Sequence, residues 1–180
     1  MTAGLILYGA PATGKDTVTA ALISAYPQFR LFQRLKVGPG RTESYRMTDQ
    51  ATLDALTSAG EILWENQRYG SRYAIDRPGL QGIIDGGFYP VIHAGQPEVT
   101  TAIQRAFPHL TWIVVQLECS RAIAHERIVH RATGDTDARM AAWDATPALS
   151  TANVTIDTGA FSPRSAARRI AALVQHQATI

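Results

Sequence analysis

Leu5-Ile6-Leu7-Tyr8-Gly9-Ala10-Pro11-Ala12-Thr13-Gly14-Lys15-Asp16-Thr17 is the stretch whose reading decides the fold. A short apolar run reads as a buried strand, Gly9 to Lys15 fits G-x-x-x-x-G-K, and a helical pattern opens near Lys15. Glycine at both ends lets the loop curl until its backbone N–H groups face a phosphate chain. The helix adds the positive end of its dipole, and Lys15 adds a mobile charge for the outer phosphates. The expected nucleotide-phosphate residues are therefore Gly9, Ala10, Pro11, Ala12, Thr13, Gly14, Lys15, Asp16 and Thr17. The hydroxyl that usually follows the lysine to hold Mg²⁺ is displaced, with Asp16 first and Thr17 second. Either serves a metal: Asp16 as a hard oxygen ligand, Thr17 through a small shift of register.

Outward from this stretch, the chain alternates strand and helix patterns. Val18, Leu22 and Ile23 give one helical face before Pro27, and Phe29 to Leu35 reads as a second strand. Lys36 to Arg41, with Gly38, Pro39 and Gly40, reads as a loop. Tyr45 to Met47 is short and extended, and Thr48 is placed to cap a helix through Leu53 and Leu56 that Gly60 stops. Glu61–Trp64 and Arg72–Ile75 read as two short strands joined through Arg68-Tyr69-Gly70-Ser71. Helices follow from Pro78, Pro97, Ser120, Ala138 and Ser162-Pro163, with strands at 88–93, 111–117 and 153–157 between them. Such alternation implies a parallel sheet with helices on both faces and a ligand outside the carboxyl ends of its strands. The stretch of about 32–75 interrupts the rhythm as a small insertion.

The 180 residues suit one domain with a full-sized core, and 46% hydrophobic against 18% charged residues describes a folded chain. A net charge of +2, with arginines scattered rather than gathered, gives no ground for a nucleic-acid partner. Cys119 stands alone, which excludes an internal disulfide and a cysteine-built zinc site. No apolar run is long enough for a bilayer and the start carries no basic leader, so a soluble cytoplasmic protein, monomer or homodimer, is expected.

On three sets of residues the chain resembles the nucleoside monophosphate kinases, most specifically the guanylate kinase group. These are the phosphate loop; the insertion segments Glu43-Ser44-Tyr45-Arg46-Met47-Thr48, Gly60-Glu61-Ile62-Leu63 and Tyr69-Gly70-Ser71-Arg72-Tyr73; and Arg127, Arg131 and Arg139, which are similar to the arginines of a lid. The resemblance implies an α/β fold of the P-loop NTPase type, one domain over 1–180, with an acceptor-binding insertion at about 32–75 and a lid at about 125–142. It implies ATP and Mg²⁺ as donor and metal, and a small phosphorylated acceptor. It places Lys15, Arg127, Arg131 and Arg139 in the catalytic machinery, and Lys36, Arg41, Tyr45 and Tyr73 on the acceptor's phosphate. Charged donors with fixed hydroxyls suit a dianionic phosphate.

The base-reading positions depart from that group. Trp64 stands where it has a glutamate, with Glu65 one residue later, and Ile75 follows Tyr73-Ala74 where it has a serine. Trp64 and Glu65 then shape a pocket for another acceptor. Gly-Lys-Asp and the missing threonine-threonine-arginine segment also resemble the ribose bisphosphate phosphokinases. His93 and Gln96, at a central strand end, are placed to contact the acceptor or orient a metal-bound water. A regulatory GTPase would need an Asn-Lys-x-Asp segment, which is missing. A catalytically dead binding module would not need Lys15.

Overall fold

The computed structural model describes residues 3–40, 42–68, 70–132 and 134–178. Its centre is a five-stranded sheet of β1 (Ala3–Tyr8), β2 (Phe29–Leu31), β7 (Tyr89–Ala94), β8 (Thr111–Glu118) and β9 (Val154–Asp157), in the order β2-β7-β1-β8-β9. Every pairing in it is parallel. Parallel strands need crossover connections, and helices supply them: α1 (Lys15–Ala25), α3 (Arg77–Asp85), α4 (Pro97–Ala106), α5 (Arg121–His130) and α6 (Thr136–Asp144); α7 (Pro163–Ala178) follows β9 and packs on the sheet with α1.

The continuous apolar runs of β1, β7 and β8 follow from burial on both faces. Leu5, Leu7, Val115 and Leu117 pack on Val18 and Leu22 of α1 and on Ile170 and Val174 of α7. Ile6, Tyr8, Ile92 and Val114 point the other way, onto Leu80 of α3 and Val99 and Ile103 of α4. Gly4 leaves room for the Trp112 ring, whose indole N–H donates to the Phe107 carbonyl at 3.2 Å. Among the described residues, no helix is long and apolar enough to cross a membrane.

The insertion is a second sheet, ordered β4-β3-β6-β5, of β3 (Leu35–Val37), β4 (Arg46–Met47), β5 (Ile62–Arg68) and β6 (Ser71–Asp76), with α2 (Gln50–Ser58) beside it. Leu35 and Ala74 face Leu53 of α2 in a small core of their own. Arg46 pairs with Asp76, whose carboxylate also accepts from the Gly79 N–H and caps α3. That ion pair fastens the insertion to the main body.

Three sequence expectations are corrected. Phe29 to Leu35 is not one strand: β2 ends at Leu31, and Phe32 to Arg34 cross to the second sheet. Pairing decides this, because β2 runs beside β7 while Leu35 pairs with Ala74. Lys36 accordingly lies in β3 rather than in a loop, and is 1% exposed. Asp49, not Thr48, caps α2; its carboxylate accepts from the Thr52 N–H at 2.7 Å, while the Thr48 N–H is spent on the Lys36 carbonyl.

Gly4→Ala tests the close packing of the first sheet face. A methyl group there meets Trp112 ring carbons at 2.6 and 2.8 Å, and that buried ring has little room to yield. We expect a loss of about 1–3 kcal/mol in denaturant unfolding. A loss under about 0.5 kcal/mol would show that the ring repacks freely.

Candidate functional site

The phosphate loop joins the end of β1 to α1. Its Gly9 N–H donates to the Ala94 carbonyl at the end of β7, at 3.0 Å. A side chain at Gly9 would run into the Leu117 carbonyl. Gly14, at φ 89, starts α1 in the left-handed conformation that glycine tolerates best. It offers no side-chain cap, so the first-turn N–H groups of α1 face outward as an anion site. Thr13 is buried and donates its hydroxyl to the Ala10 carbonyl at 2.9 Å, bracing the loop from within.

Lys15 folds back over this loop. Its ammonium donates to the carbonyls of Gly9 at 2.5 Å and Ala10 at 2.9 Å. Burial lowers its pKa to about 8; Asp16 opposes the shift, and the Arg34 and Arg131 charges add to it. Beside the lysine opens a cleft of about 780 Å³. Gly9, Pro11, Lys15 and Asp16 line it from the loop, and Arg34, Lys36, Tyr45, Asn66, Arg68 and Tyr73 from the insertion. The end of β7 contributes His93 and Gln96, and the helical hairpin α5–α6 contributes Arg131 and Arg139.

The cleft is crowded with positive charge. Arg34 is partly buried, its guanidinium over the Trp64 ring at 4.8 Å and donating to the His93 carbonyl at 2.6 Å. Burial first, and then repulsion from Arg68, bring its pKa down to about 10, against a favourable pull from Tyr45. The Lys36 ammonium sits 5.4 Å from the centre of the Tyr45 ring and 5.7 Å from that of Tyr73, and donates to the Pro39 carbonyl at 2.5 Å. The two tyrosine rings pack together at 5.3 Å.

His93 is neutral at pH 7, its pKa pushed down to about 4 by burial, with Lys15 and Arg34 adding and Asp16 opposing. Its Nε2 is 2.7 Å from the Thr19 hydroxyl and its Nδ1 is 3.5 Å from Asp16. A carboxylate only accepts, so this arrangement puts the imidazole proton on Nδ1 and the Thr19 proton toward Nε2. Asp16 therefore leans on His93 at the cleft edge.

The expected site residues divide accordingly. Gly9, Pro11, Lys15, Asp16, Lys36, Tyr45, Tyr73, His93, Arg131 and Arg139 share the cleft. Ala10, Ala12, Thr13 and Gly14 form the rest of the loop, whose Ala12 takes a positive φ of 62. Thr17 is exposed on α1 and does not line the cleft. Arg127 does not reach the cleft either. It donates to the Ala12 carbonyl at 3.1 Å and to the Thr158 hydroxyl and carbonyl at 3.0 and 2.9 Å, buttressing the loop from behind. Trp64 lies behind Arg34, outside the lining. Glu65 faces the opposite side of its sheet, paired with Arg72 at 2.6 Å. Arg41 and Tyr69 lie outside the described residues. Arg34, Asn66, Arg68 and Asp135 are among the cleft residues the sequence reading missed; for Arg34 the one signal was a charge inside the apolar run Leu31–Leu35.

Solved structures that resemble this chain include kinases. A guanylate kinase from Anaplasma phagocytophilum superposes with TM-score 0.61 at 17% identity, over 98% of this chain and 87% of that one. A gluconokinase from Sinorhizobium meliloti 1021 gives 0.54 at 17%, over 99% and 97%. A sugar kinase from Janibacter sp. HTCC2649 gives 0.55 at 14%, over 96% and 94%. The chain has the P-loop kinase fold. No family model and no curated protein matches the sequence. Within the P-loop kinase fold, the cleft occupies the carboxyl ends of β1 and β7, where parallel sheets place their ligands.

A metal fits here in one way. Among the described residues no group of three His, Cys, Asp or Glu is gathered to hold one. Asp16, next to Lys15, presents a carboxylate at the loop's edge of the cleft, which suits a Mg²⁺ that takes most of its ligands from substrate phosphates and water.

Lys15 and Lys36 are the only lysines in the chain, which makes the phosphate-loop amine easy to follow. Burial favours the neutral amine, so in metal-free protein Lys15 acylation should rise with pH through about 8 rather than through the ordinary 10.5. Inorganic pyrophosphate should suppress it by holding the charged form. Labelling that titrates near 10.5, mapped by mass spectrometry, would contradict the burial of this amine.

Proposed function

We propose that the protein is an ATP-dependent phosphotransferase that moves the γ-phosphoryl group of ATP to a small phosphorylated acceptor, a nucleoside monophosphate or nucleotide-like metabolite. One observation carries the reading. Lys15, Arg34, Lys36, Arg68, Arg131 and Arg139 converge on one cleft beside the phosphate loop, where burial depresses Lys15 and Arg34 and repulsion from other members of the group adds to it. Such a cluster is stabilised by a polyanion, and two phosphate-bearing substrates provide one.

The chemistry follows from position. Loop N–H groups and the start of α1 receive the donor phosphates, and Lys15 leaves the Gly9 and Ala10 carbonyls for them. Lys36, between Tyr45 and Tyr73, receives the acceptor's phosphate, with Arg34 behind it. Arg131 and Arg139 lie on the hairpin side of the cleft, where negative charge spreads over the transferring group. Asp16 would hold Mg²⁺ together with the donor phosphates, and the ion would neutralise part of their charge. The bond from the γ-phosphorus to its bridging oxygen breaks as the acceptor oxygen bonds to phosphorus. A phosphate oxygen is already ionised, so no general base is needed. The neutral His93, tied to Thr19 and Asp16, serves to hold Asp16 in place.

A second reading, a phosphorylated-sugar kinase of the ribose 1,5-bisphosphate type, is favoured by one further observation. Glu65 points away from the cleft and Trp64 is covered by Arg34, so neither of the two residues expected to shape a base pocket reaches the acceptor space.

ADP release with ATP and Mg²⁺ tests both readings across GMP, dGMP, AMP, CMP, UMP, dTMP, ribose 1,5-bisphosphate and phosphorylated sugars. Turnover with a nucleotide supports the first reading, and turnover with ribose 1,5-bisphosphate or a sugar phosphate alone supports the second. ATP binding with no turnover on any acceptor counts against a kinase. With the acceptor that works, Lys15→Ala should lose about 10²–10³-fold or more in kcat while still unfolding cooperatively. Near-normal turnover in that variant would exclude the mechanism. Arg131→Ala should lower kcat by about 10²-fold with little change in the KM for ATP. A change confined to KM would assign Arg131 to ground-state binding.

A further inference from the structure

The Asn66 carboxamide lies in the cleft wall with its Oδ1 shut off from solvent and without a hydrogen-bond partner. Buried polar atoms in native folds are nearly always paired, and an orphan that lines a ligand cleft has its missing partner in the ligand. Two other orphan atoms share the description, Glu61 Oε2 and Trp143 Nε1. Neither residue lines this cleft, and Glu61 has Arg77 at 3.6 Å.

The strand register shows what Asn66 stands beside. Asn66 pairs with Tyr73, and Tyr73 with Lys36, so the three form one row across β5, β6 and β3, and all three line the cleft. The row spans two strand spacings, about 10 Å from backbone to backbone. One end is the Lys36 ammonium over the two tyrosine rings, which suits a phosphate. The other end is an uncharged amide. A ligand lying along the row has its phosphate at Lys36 and a neutral polar group at Asn66. Nothing else in the row fixes the amide's orientation, so rotation about its last side-chain bond presents the carbonyl to that group.

We propose that Asn66 determines acceptor specificity: it reads a hydroxyl or amino group, remote from the phosphate, on a phosphate ester bound along this row. The inference rests on the cleft being an acceptor site. The same residue explains how a pocket without an inward carboxylate selects its substrate. An amide accepts a hydrogen bond without repelling the nearby phosphate, as Glu65 would if it faced inward.

The test is calorimetric, on the full chain, with ribose 5-phosphate, AMP and GMP as the esters, inorganic phosphate as the ligand without a remote donor, and ATP as the reference. Asn66→Leu keeps the branched outline of the side chain and removes both polar ends. It should melt at or above the wild-type temperature, because an orphan carbonyl is gone. The tightest ester should bind about tenfold or more weakly to it, with inorganic phosphate and ATP unchanged. Asn66→Ala gives the same comparison should the leucine variant fail to fold. Ester affinity within about twofold of wild type would overturn the role of Asn66 while leaving the acceptor site in place. Equal weakening of ester, phosphate and ATP would overturn it too, by making Asn66 a structural residue. If no ester binds the wild type while ATP does, the acceptor-site reading itself falls, and this inference with it.

Discussion

Positive charge gathered in one place is the constraint around which the cleft is built. Lys15 rests on the carbonyls of Gly9 and Ala10, Arg34 on the carbonyl of His93, and Lys36 on the carbonyl of Pro39. These partners are dipoles. They satisfy donor hydrogens, yet Lys15 and Arg34 are depressed in spite of good hydrogen bonds, by burial first and then by neighbouring cations. The fold bears the cost because each cation arrives from a different, independently packed element. Lys15 comes from α1, Arg34 from the crossing between the sheets, Lys36 from β3 and Arg131 from the end of α5. An anion that enters replaces several weak dipoles at once, and the repulsion becomes binding energy.

The same distribution explains which parts were legible in the sequence. The phosphate loop is local: strand, glycines, lysine and helix follow one another within Leu5 to Thr17. The central sheet was legible because β1, β7 and β8 are buried on both faces and read as unbroken apolar runs. The break after Leu31 was not, since Phe32-Gln33-Arg34 contains no glycine or proline. What ends β2 there is the pairing of Leu35 with Ala74, thirty-nine positions further along the chain. Arg34 was lost for the same reason: it was placed inside a continuous strand and given no role of its own. Arg127 and Arg131 share a helical spacing that suggested a shared anion, but the contact of Arg127 with Thr158 depends on how the segment after β9 returns to the loop.

Glu65 shows how narrow the margin is between a recognised motif and a working site. Side chains in a strand alternate faces, so a carboxylate displaced by one position does not move slightly; it leaves the site. Trp64, Asn66 and Arg68 share one face of β5, and Glu65 and Gln67 share the other, where Glu65 meets Arg72. With the acid gone, the acceptor wall keeps a cation at Lys36, two aromatic hydroxyls and an amide. On the proposed reading, such a wall would hold a phosphate by charge and a neutral polar group by geometry. It has little with which to select a purine by charge.

That composition also bears on the chemistry. A kinase that phosphorylates a hydroxyl group needs a base to take its proton, and a cleft built for that purpose would hold a carboxylate free of cations. Asp16 is instead one residue from Lys15 and leans on His93, while Asp135 is bound to Arg139 at 2.6 Å. Each carboxylate in the cleft lining is thus tied to a neighbouring group. A nucleophile that brings its own negative charge, as a phosphate oxygen does, makes the missing base unnecessary. It also turns the surplus cations from a liability into the means of bringing two anions together. On the proposed reading, the charge pattern and the setting of these two carboxylates both favour an acceptor that is itself an anion.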